Sequence, residues 1–219
     1  MSEATKDTVK CPNCGTESET YIWESLNSIL NHDEVARMLE GSLFAHECPS
    51  CHSSIELTYP CLYNDMEHGV MVQYIVDESK LDEAISLMQK SADEDGGQEG
   101  DLPITTRIVT SHNALREKAL IFKDGYNDMA MEALKAVMMN RFIDEGQIEG
   151  EASCFYSGTT DADDIVLTVV EGPRAAETLA PRALYNRADA MVAQSPYAKQ
   201  RTYVVDSVWA ALFFQKMAR

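Results

Sequence analysis

The chain has 219 residues and a mass of 24.4 kDa, and its 36 acidic and 18 basic side chains give a formal net charge of −18 at pH 7. The hydrophobic fraction of 45% and the charged fraction of 25% are typical of a globular protein and exclude a disordered chain. The negative charge opposes non-specific binding to nucleic-acid phosphates or anionic lipid. No apolar run approaches the ~18 residues that cross a bilayer. The polar start has no secretory signal, so we expect a cytoplasmic protein.

The first part of the chain predicts a β unit that contains a short helix. Two C-x-x-C pairs, at residues 11–14 and 48–51, are separated by 33 residues. Between them, residues 18–25 are rich in side chains that favour a strand. Asn31, with a glutamate three residues later, can cap a helix, and Gly41 suits the left-handed residue after its last turn. We therefore predict a zinc-ribbon-like β unit with a helical insertion.

The segment after the second pair predicts further strands, a helix and a linker. Apolar alternation predicts strands at 55–59 and 70–76, and residues 63–69 have the composition of the loop between them. A helix is predicted from Ser79. Residues 91–101 contain five acidic and no basic side chains, which indicates a solvated acidic linker.

The remaining sequence predicts an α+β fold, because strands and helices alternate without the regular pattern of a parallel sheet. The predicted elements are a strand at 104–110, helices at 111–123 and 128–142, strands at 151–157, 164–170 and 202–206, a helix from 181 to 193, and a last helix ending near Met217. We predict a zinc-binding domain at 9–145 and a C-terminal α+β segment at 146–219, packed on the same sheet or separate from it.

The two cysteine pairs carry the clearest chemical signal. Two sulfurs separated by two residues can both reach one ion, and four thiolates complete the tetrahedron that zinc prefers. Each leading cysteine is followed by a proline, which stiffens the turn, and Gly15 after the first pair can adopt a positive φ. We therefore predict a Zn²⁺ site with the ligands Cys11, Cys14, Cys48 and Cys51.

Other uses of these residues stay open. In glutaredoxin-like proteins a redox-active C-P-x-C opens a helix, whereas here turn-forming residues follow both pairs. Disulfides are disfavoured in a reducing cytosol. His52 stands where the first pair has Gly15 and can occupy the same turn. His52 and His46 are also alternative metal ligands, although four thiolates already complete a tetrahedron.

Several segments together resemble the CpXC family of bacterial and archaeal proteins. They are C-P-N-C-G, W-E-S-L-N, G-S-L-F-A-H-E-C-P-S-C, Y-P-C-L-Y-N-D and R-I-V-T-S-H-N-A-L-R-E-K-A-L-I-F-K-D-G. The resemblance covers roughly residues 9–145 and implies that the four cysteines of the two pairs bind zinc. It implies no activity, since the family is uncharacterised. The departures are Cys61 and the histidine at position 52, where a glycine is expected.

The other candidate residues have simpler structural interpretations. Cys154 lies in a strand-like run and is expected to be a buried free cysteine, and Cys61 has no predicted base beside it. Asp161, Asp163 and Asp164 suggest a calcium loop, but apolar residues follow them, so we predict a solvated turn. His112, beside Ser111, suggests an acid–base pair, but its place in the first turn of a helix favours capping or exposure.

A site with four thiolates leaves no position open for a substrate or water, so we expect a structural metal and no enzyme. The favoured function is a protein–protein interaction module whose partner is another protein. The alternative is a zinc-ribbon protein associated with nucleic acid or transcription, although residues 1–60 contain ten acidic and three basic side chains. An enzyme with a C-terminal site, using Cys154, is a third possibility.

Overall fold

The computed structural model describes residues 3–94 and 104–218. The chain divides into two compact units, Met1–Arg116 and Glu117–Arg219. Six helices and three separate sheets in the described part of the chain confirm the predicted α+β class. The division at residue 116 differs from the sequence-based boundary at 145, which stays a prediction about the extent of the zinc-binding domain.

The first unit contains a five-stranded mixed sheet and a separate two-stranded hairpin. The strands are β1 (Glu3–Lys10), β2 (Glu17–Asn27), β3 (Ala45–Glu47), β4 (Ser54–Glu56), β5 (Cys61–Asp65), β6 (Val70–Tyr74) and β7 (Thr105–Val109). The sheet order is β1-β2-β5-β6-β7, and β3 pairs with β4 in a separate two-stranded sheet. Within the sheet, β2 runs parallel to β5 and β6 runs parallel to β7, while the other neighbours are antiparallel.

In the described residues of the first unit, three helices begin: α1 (His32–Glu40), α2 (Leu81–Glu94) and α3 (His112–Lys123), which continues into the second unit. Gly41 ends α1 with a φ of 87°, as predicted. Asn31 is the N-cap residue of α1, as predicted, but its side chain makes no capping hydrogen bond to the helix and accepts from the Asn27 amide. Before α2, Asp77 rather than Ser79 is the capping residue, and it caps a short 3₁₀ turn at Glu78–Lys80.

Two strand predictions in the first unit need correction. The sequence gives no signal for β1, because this strand is polar and its described side chains are mostly exposed. The loop predicted at 63–69 begins instead as β5, in which Cys61, Tyr63 and Asp65 point inward. The polar residues of this strand suggest a loop, but the buried positions alternate as a strand requires.

The second unit packs three helices with an antiparallel sheet. Its strands are β8 (Ala152–Thr159), β9 (Ile165–Glu171) and β10 (Arg174–Ala180), in the order β10-β9-β8, and its helices are α4 (Asp128–Asp144), α5 (Arg182–Gln194) and α6 (Ser207–Met217). Helix α4 packs against α5, α6 and β8 and is buried along most of its first three turns. Because α4 contributes to the core on several sides, it lies at the centre of this unit.

The structure differs from two sequence predictions in the second unit. Strand β10 is not predicted by the sequence, because it is rich in alanine, which does not favour strands, and its side chains are largely exposed. The strand predicted at 202–206 is wrong, since these residues form no ladder. The side chains of Tyr203 and Val205 are nevertheless buried, which explains the apolar alternation that suggested a strand.

The acidic segment 91–101 divides between a helix and undescribed chain. Residues 91–94 form the last turn of α2, and the remainder of the predicted linker lies outside the described residues. Within the described ranges, no helix combines the length and the apolar character that a membrane span requires.

Candidate metal centre

The first cysteine pair lies in the loop of the β1–β2 hairpin. The Cys11 amide donates to the Thr16 carbonyl at 2.9 Å, and the Gly15 amide donates to the Cys11 carbonyl at 2.9 Å. In this tight turn the residue four positions after Cys11 needs a positive φ. That residue is Gly15, and its φ is 76°. The loop thus holds Cys11 and Cys14 on one side of a short turn.

The second pair lies in an equivalent loop of the β3–β4 hairpin. The Cys48 amide donates to the Ser53 carbonyl at 3.0 Å, and the His52 amide donates to the Cys48 carbonyl at 2.9 Å. His52 has a φ of 56° and takes the place that Gly15 has in the first loop, as predicted. The two hairpins therefore present Cys11, Cys14, Cys48 and Cys51 from loops of the same geometry.

The four cysteine sulfurs form one cluster. Each Sγ lies within 4.8 Å of every other, and the pairs Cys11–Cys51 and Cys14–Cys48 are separated by 3.6 Å and 3.5 Å. Four metal–sulfur bonds of about 2.3 Å in a tetrahedron place neighbouring sulfurs about 3.8 Å apart. The spacing of these thiols therefore fits a single metal ion at their centre.

Hydrogen bonds around the cluster favour thiolates. The Ser53 hydroxyl lies 3.0 Å from the Cys51 sulfur and 3.3 Å from the Cys11 sulfur, and the Asn13 amide donates to Cys51 at 3.6 Å. The Ser53 hydroxyl and amide and the Asn13 side chain lower the pKa of Cys51 to about 5. The pKa of Cys11 is also lowered, first by Ser53 and then by the Cys14 amide. Sequence reasoning did not identify Ser53, which contacts both pairs.

Crowding of the sulfurs raises the pKa of Cys48, in contrast to the lowered pKa values of Cys51 and Cys11. Amides of Cys51 and Ser50 lower its pKa, but burial and the neighbouring thiols of Cys14 and Cys11 raise it to about 11. Four negative charges at this spacing repel one another, and a divalent cation offsets that repulsion. The donor set is therefore suited to a cation that prefers thiolate ligands.

Neither histidine near the second loop belongs to the sulfur cluster. The His46 ring nitrogen Nε2 lies 2.7 Å from the Ser18 hydroxyl and links β3 to β2. The His52 ring nitrogen Nδ1 lies 2.7 Å from Glu47 Oε1, and both side chains are exposed. Each of the two histidines therefore has a hydrogen-bond partner outside the sulfur cluster.

The two remaining cysteines are buried apart from the cluster. Cys61 lies in β5 and Cys154 in β8, and burial raises the pKa of each thiol to about 12. A thiol with such a pKa is not ionised at neutral pH and is a poor nucleophile. This agrees with the interpretation of Cys154 as a buried free cysteine.

The other candidate residues have structural surroundings. Asp163 lies in a turn with a φ of 68° and pairs with Arg182 at 2.8 Å. Ser111 caps α3 by accepting from the Ala114 amide at 3.1 Å. The exposure expected for His112 is wrong: its ring stacks on Phe44 at a centroid distance of 3.9 Å and is mostly buried.

The second unit contains a group of buried charges that sequence reasoning did not identify. Lys135 contacts Glu117 at 2.7 Å and Glu132 at 2.9 Å, and Lys118 contacts Asp128 at 3.2 Å and Glu132 at 3.3 Å. Burial raises the pKa of Glu117, although Lys135 acts against it. The signal in the sequence is the spacing of Asp128, Glu132 and Lys135 at i, i+4 and i+7, which places these charges on one side of α4.

Comparisons with known proteins agree with the motif analysis. A search of the curated proteins and a search of the solved structures found no match. The family model described as CpXC protein matches residues 9–135, which include both cysteine pairs and more than half of the chain. On the basis of this match and the cysteine cluster, the chain belongs to the CpXC family.

Proposed function

We propose that Cys11, Cys14, Cys48 and Cys51 bind one structural Zn²⁺ ion and that the protein is a non-enzymatic, cytoplasmic module for binding another protein. The observation that carries the metal assignment is the convergence of all four sulfurs within 4.8 Å of one another. Cysteine pairs that bind metal rather than form disulfides are typical of a reducing compartment, which supports the cytoplasmic assignment.

The donor set favours zinc over other common metals. Oxygen-preferring ions such as Mg²⁺ and Ca²⁺ bind carboxylates and carbonyls, whereas tetrahedral sites of four thiolates are typical of zinc or iron–sulfur centres. The two tight loops bring the sulfurs to the spacing of one mononuclear tetrahedral ion. Ser53 and Asn13 make hydrogen bonds to the sulfurs, as residues that surround the ligands of a metal site commonly do.

A closed sphere of four thiolates supports a structural role. A catalytic zinc keeps one position for water or substrate, and four cysteines fill all of them. The ion would join the β1–β2 hairpin to the β3–β4 hairpin, which share no strand ladder. Structural zinc sites contribute ~10–16 kcal/mol of binding free energy, which is comparable to the stability of a whole domain.

The interaction role is supported by the charge of the first unit. A strongly acidic surface disfavours direct contact with nucleic-acid phosphates, while a protein partner with basic side chains is complementary to it. In this proposal the metal site supplies stability to the first unit, and the acidic surface of the unit supplies recognition.

Metal analysis of matched cysteine variants tests the metal assignment. We expect one zinc per chain in the wild type and in Cys61→Ser, and none in Cys48→Ser. Hydrogen exchange of Cys48→Ser should increase in the two hairpin loops while β8 and β9 stay protected. Wild-type protein without stoichiometric zinc would contradict the assignment.

Affinity capture with the same variants tests the interaction role. We expect specific partners with the zinc-loaded wild type and with Cys61→Ser, and their loss with Cys48→Ser. Equal recovery of the same partners by metal-loaded and chelated wild type would show that recognition does not depend on the metal.

A further inference from the structure

Four large apolar side chains are exposed at one end of the five-stranded sheet. The relative exposures are 53% for Ile29, 69% for Leu30, 50% for Met66 and 44% for Ile104. We call these four residues the apolar end surface. Clustered exposed apolar residues on a globular unit mark interaction sites more often than isolated ones do.

The sheet topology brings the four residues together. Strands β2 and β5 are parallel and end there, whereas β6 and β7 begin there. The Ser28 amide donates to the Asn64 carbonyl at 3.0 Å, and the Thr105 amide donates to the Gly69 carbonyl at 2.7 Å. Since neighbouring strands are about 4.8 Å apart, the four strand ends span roughly 15 Å.

A network of asparagine hydrogen bonds holds the turn that exposes two of these side chains. The Asn27 side-chain oxygen accepts from the Ile29 amide at 2.9 Å and from the Leu30 amide at 3.1 Å. The Asn31 side chain in turn accepts from the Asn27 amide at 2.9 Å. The turn is thus pre-organised with Ile29 and Leu30 outward, which lowers the entropy cost of binding.

The rim of the apolar end surface is acidic. Asp33 and Glu67 are exposed and follow Leu30 and Met66 closely in the chain, and Glu34 is half-buried. The sequence has no lysine or arginine at 26–36 or at 60–72. A partner that covers the apolar residues therefore meets negative charge at the margins.

His68 adds an oriented polar group to this rim. Its ring nitrogen Nδ1 lies 2.8 Å from the buried carboxylate of Asp65, which also accepts from Tyr63 and Ser28. The Asp65 carboxylate fixes the ring, so Nε2 is the nitrogen left for a partner.

We propose that the apolar end surface docks a protein segment that has an apolar face flanked by lysine or arginine side chains. This inference rests on the proposed function as an interaction module and names the surface and the partner chemistry. A second copy of this chain is disfavoured as the occupant, because a symmetric contact would place the acidic rim against itself.

The docking surface and the sulfur cluster lie at opposite ends of β2. The first cysteine loop precedes Glu17, the apolar turn follows Asn27, and the strand between them has eleven residues. At about 3.3 Å per residue, the two sites are roughly 35 Å apart. Substitutions at the apolar turn can therefore test docking without removing a metal ligand.

Fluorescence anisotropy with two synthetic peptides tests the proposal. The probe is an 18-residue amphipathic peptide of leucine and lysine, and its counterpart has glutamate in place of lysine. Full-length wild type is compared with Ile29→Ser, Leu30→Ser and the control Tyr21→Thr. Tyr21 is 59% exposed on β2, about 20 Å before the turn.

We expect the leucine–lysine peptide to bind wild type and Tyr21→Thr equally, and to bind each turn variant at least tenfold more weakly. The glutamate peptide should not bind. Equal affinity for all variants, or equal binding of both peptides, overturns the proposal. A concentration-dependent dimer in sedimentation that is lost in Leu30→Ser also overturns it, because the occupant is then a second copy. Zinc content measured on each sample separates these outcomes from failure of the metal assignment.

Discussion

Gly15 and His52 occupy the same position in the two cysteine loops. Each donates its amide to the carbonyl of the leading cysteine at 2.9 Å, and each has a positive φ, 76° at Gly15 and 56° at His52. A side chain at such a position is strained, whereas glycine is not. The second loop therefore contains conformational strain that the first one lacks.

This difference predicts opposite effects of two substitutions. Gly15→Ala should lower the free energy of unfolding of the zinc-loaded protein by about 1–2 kcal/mol, because alanine must adopt the left-handed region. His52→Gly should be neutral or slightly stabilising, since the exposed contact with Glu47 contributes little. Urea denaturation of both variants measures the effect. A loss in His52→Gly as large as in Gly15→Ala would contradict the strain argument.

Removal of the Ser53 hydroxyl should weaken metal binding without removing a ligand. The hydroxyl contacts the sulfurs of Cys11 and Cys51, and loss of such outer contacts typically costs 10–100-fold in affinity. Competition of Ser53→Ala with a zinc-binding dye should show this decrease. Ser50→Ala is the control, because Ser50 is exposed in the same loop. If both variants bind zinc like the wild type, Ser53 has no role in the site.

The buried charges of the second unit predict a strong effect at Lys135. Lys135→Met leaves Glu117 and Glu132 buried without this cation and should destabilise the protein by about 3–5 kcal/mol. On the same helix, Arg141→Met breaks an exposed pair with Glu145 and should change the stability far less, because solvent screens that pair. Thermal and urea unfolding of both variants give the comparison. If Lys135→Met lost as little stability as Arg141→Met, burial of the Lys135 ion pairs would not increase their contribution to stability.

Asp65 predicts a dependence of stability on pH. Burial raises the pKa of this carboxyl, but hydrogen bonds from His68 and Tyr63 outweigh burial and leave the pKa lowered. The stabilisation is therefore complete above the unfolded-state value of about 4 and is lost as the pH falls through the lower folded-state value.

The comparison that measures this effect is wild type against Asp65→Asn. The wild type should be more stable by about 1–3 kcal/mol at pH 6–7, where the hydrogen bonds to a charged group are present. The difference should shrink below about pH 4. A difference that is constant from pH 3 to pH 7 would show that ionisation of Asp65 does not contribute.

Cysteine alkylation distinguishes the buried thiols from a reactive nucleophile. Because burial raises the pKa of both thiols to about 12, Cys61 and Cys154 should resist iodoacetamide in the native protein and react after unfolding in urea. Peptide mass spectrometry identifies the modified residues. Rapid modification of Cys154 alone in the native state would instead favour an enzyme with a site in the second unit.

Local sequence patterns predicted much of the fold and the convergence of the four cysteines. The turn at Gly15 and the position of His52 follow from conformational preferences within a few residues, which a single sequence displays. The helix predicted at 128–142 is similarly close to the observed bounds of α4. In contrast, β1 and β10 are largely exposed edge strands without an apolar alternation, and their existence depends on pairing with β2 and β9.

Contacts between distant segments were not accessible from the sequence. Ser53 acts on Cys11 across the two hairpins, and Lys135 meets Glu117 across two helices, so no local pattern identifies either pair. The ring of His112 is buried because Phe44, far away in the chain, stacks on it. The sequence around these residues does not distinguish them from others of the same type. Their roles arise from contacts in the folded protein.

The division of the cysteines between two hairpins also has a consequence for biosynthesis. The loop with Cys11 leaves the ribosome before β2 and α1, and the loop with Cys48 only after them. At about 5–20 residues per second, the delay between the two pairs is about 2–7 seconds. During this interval a nascent chain presents only two sulfurs, so any cation that it binds is held weakly until the second hairpin emerges.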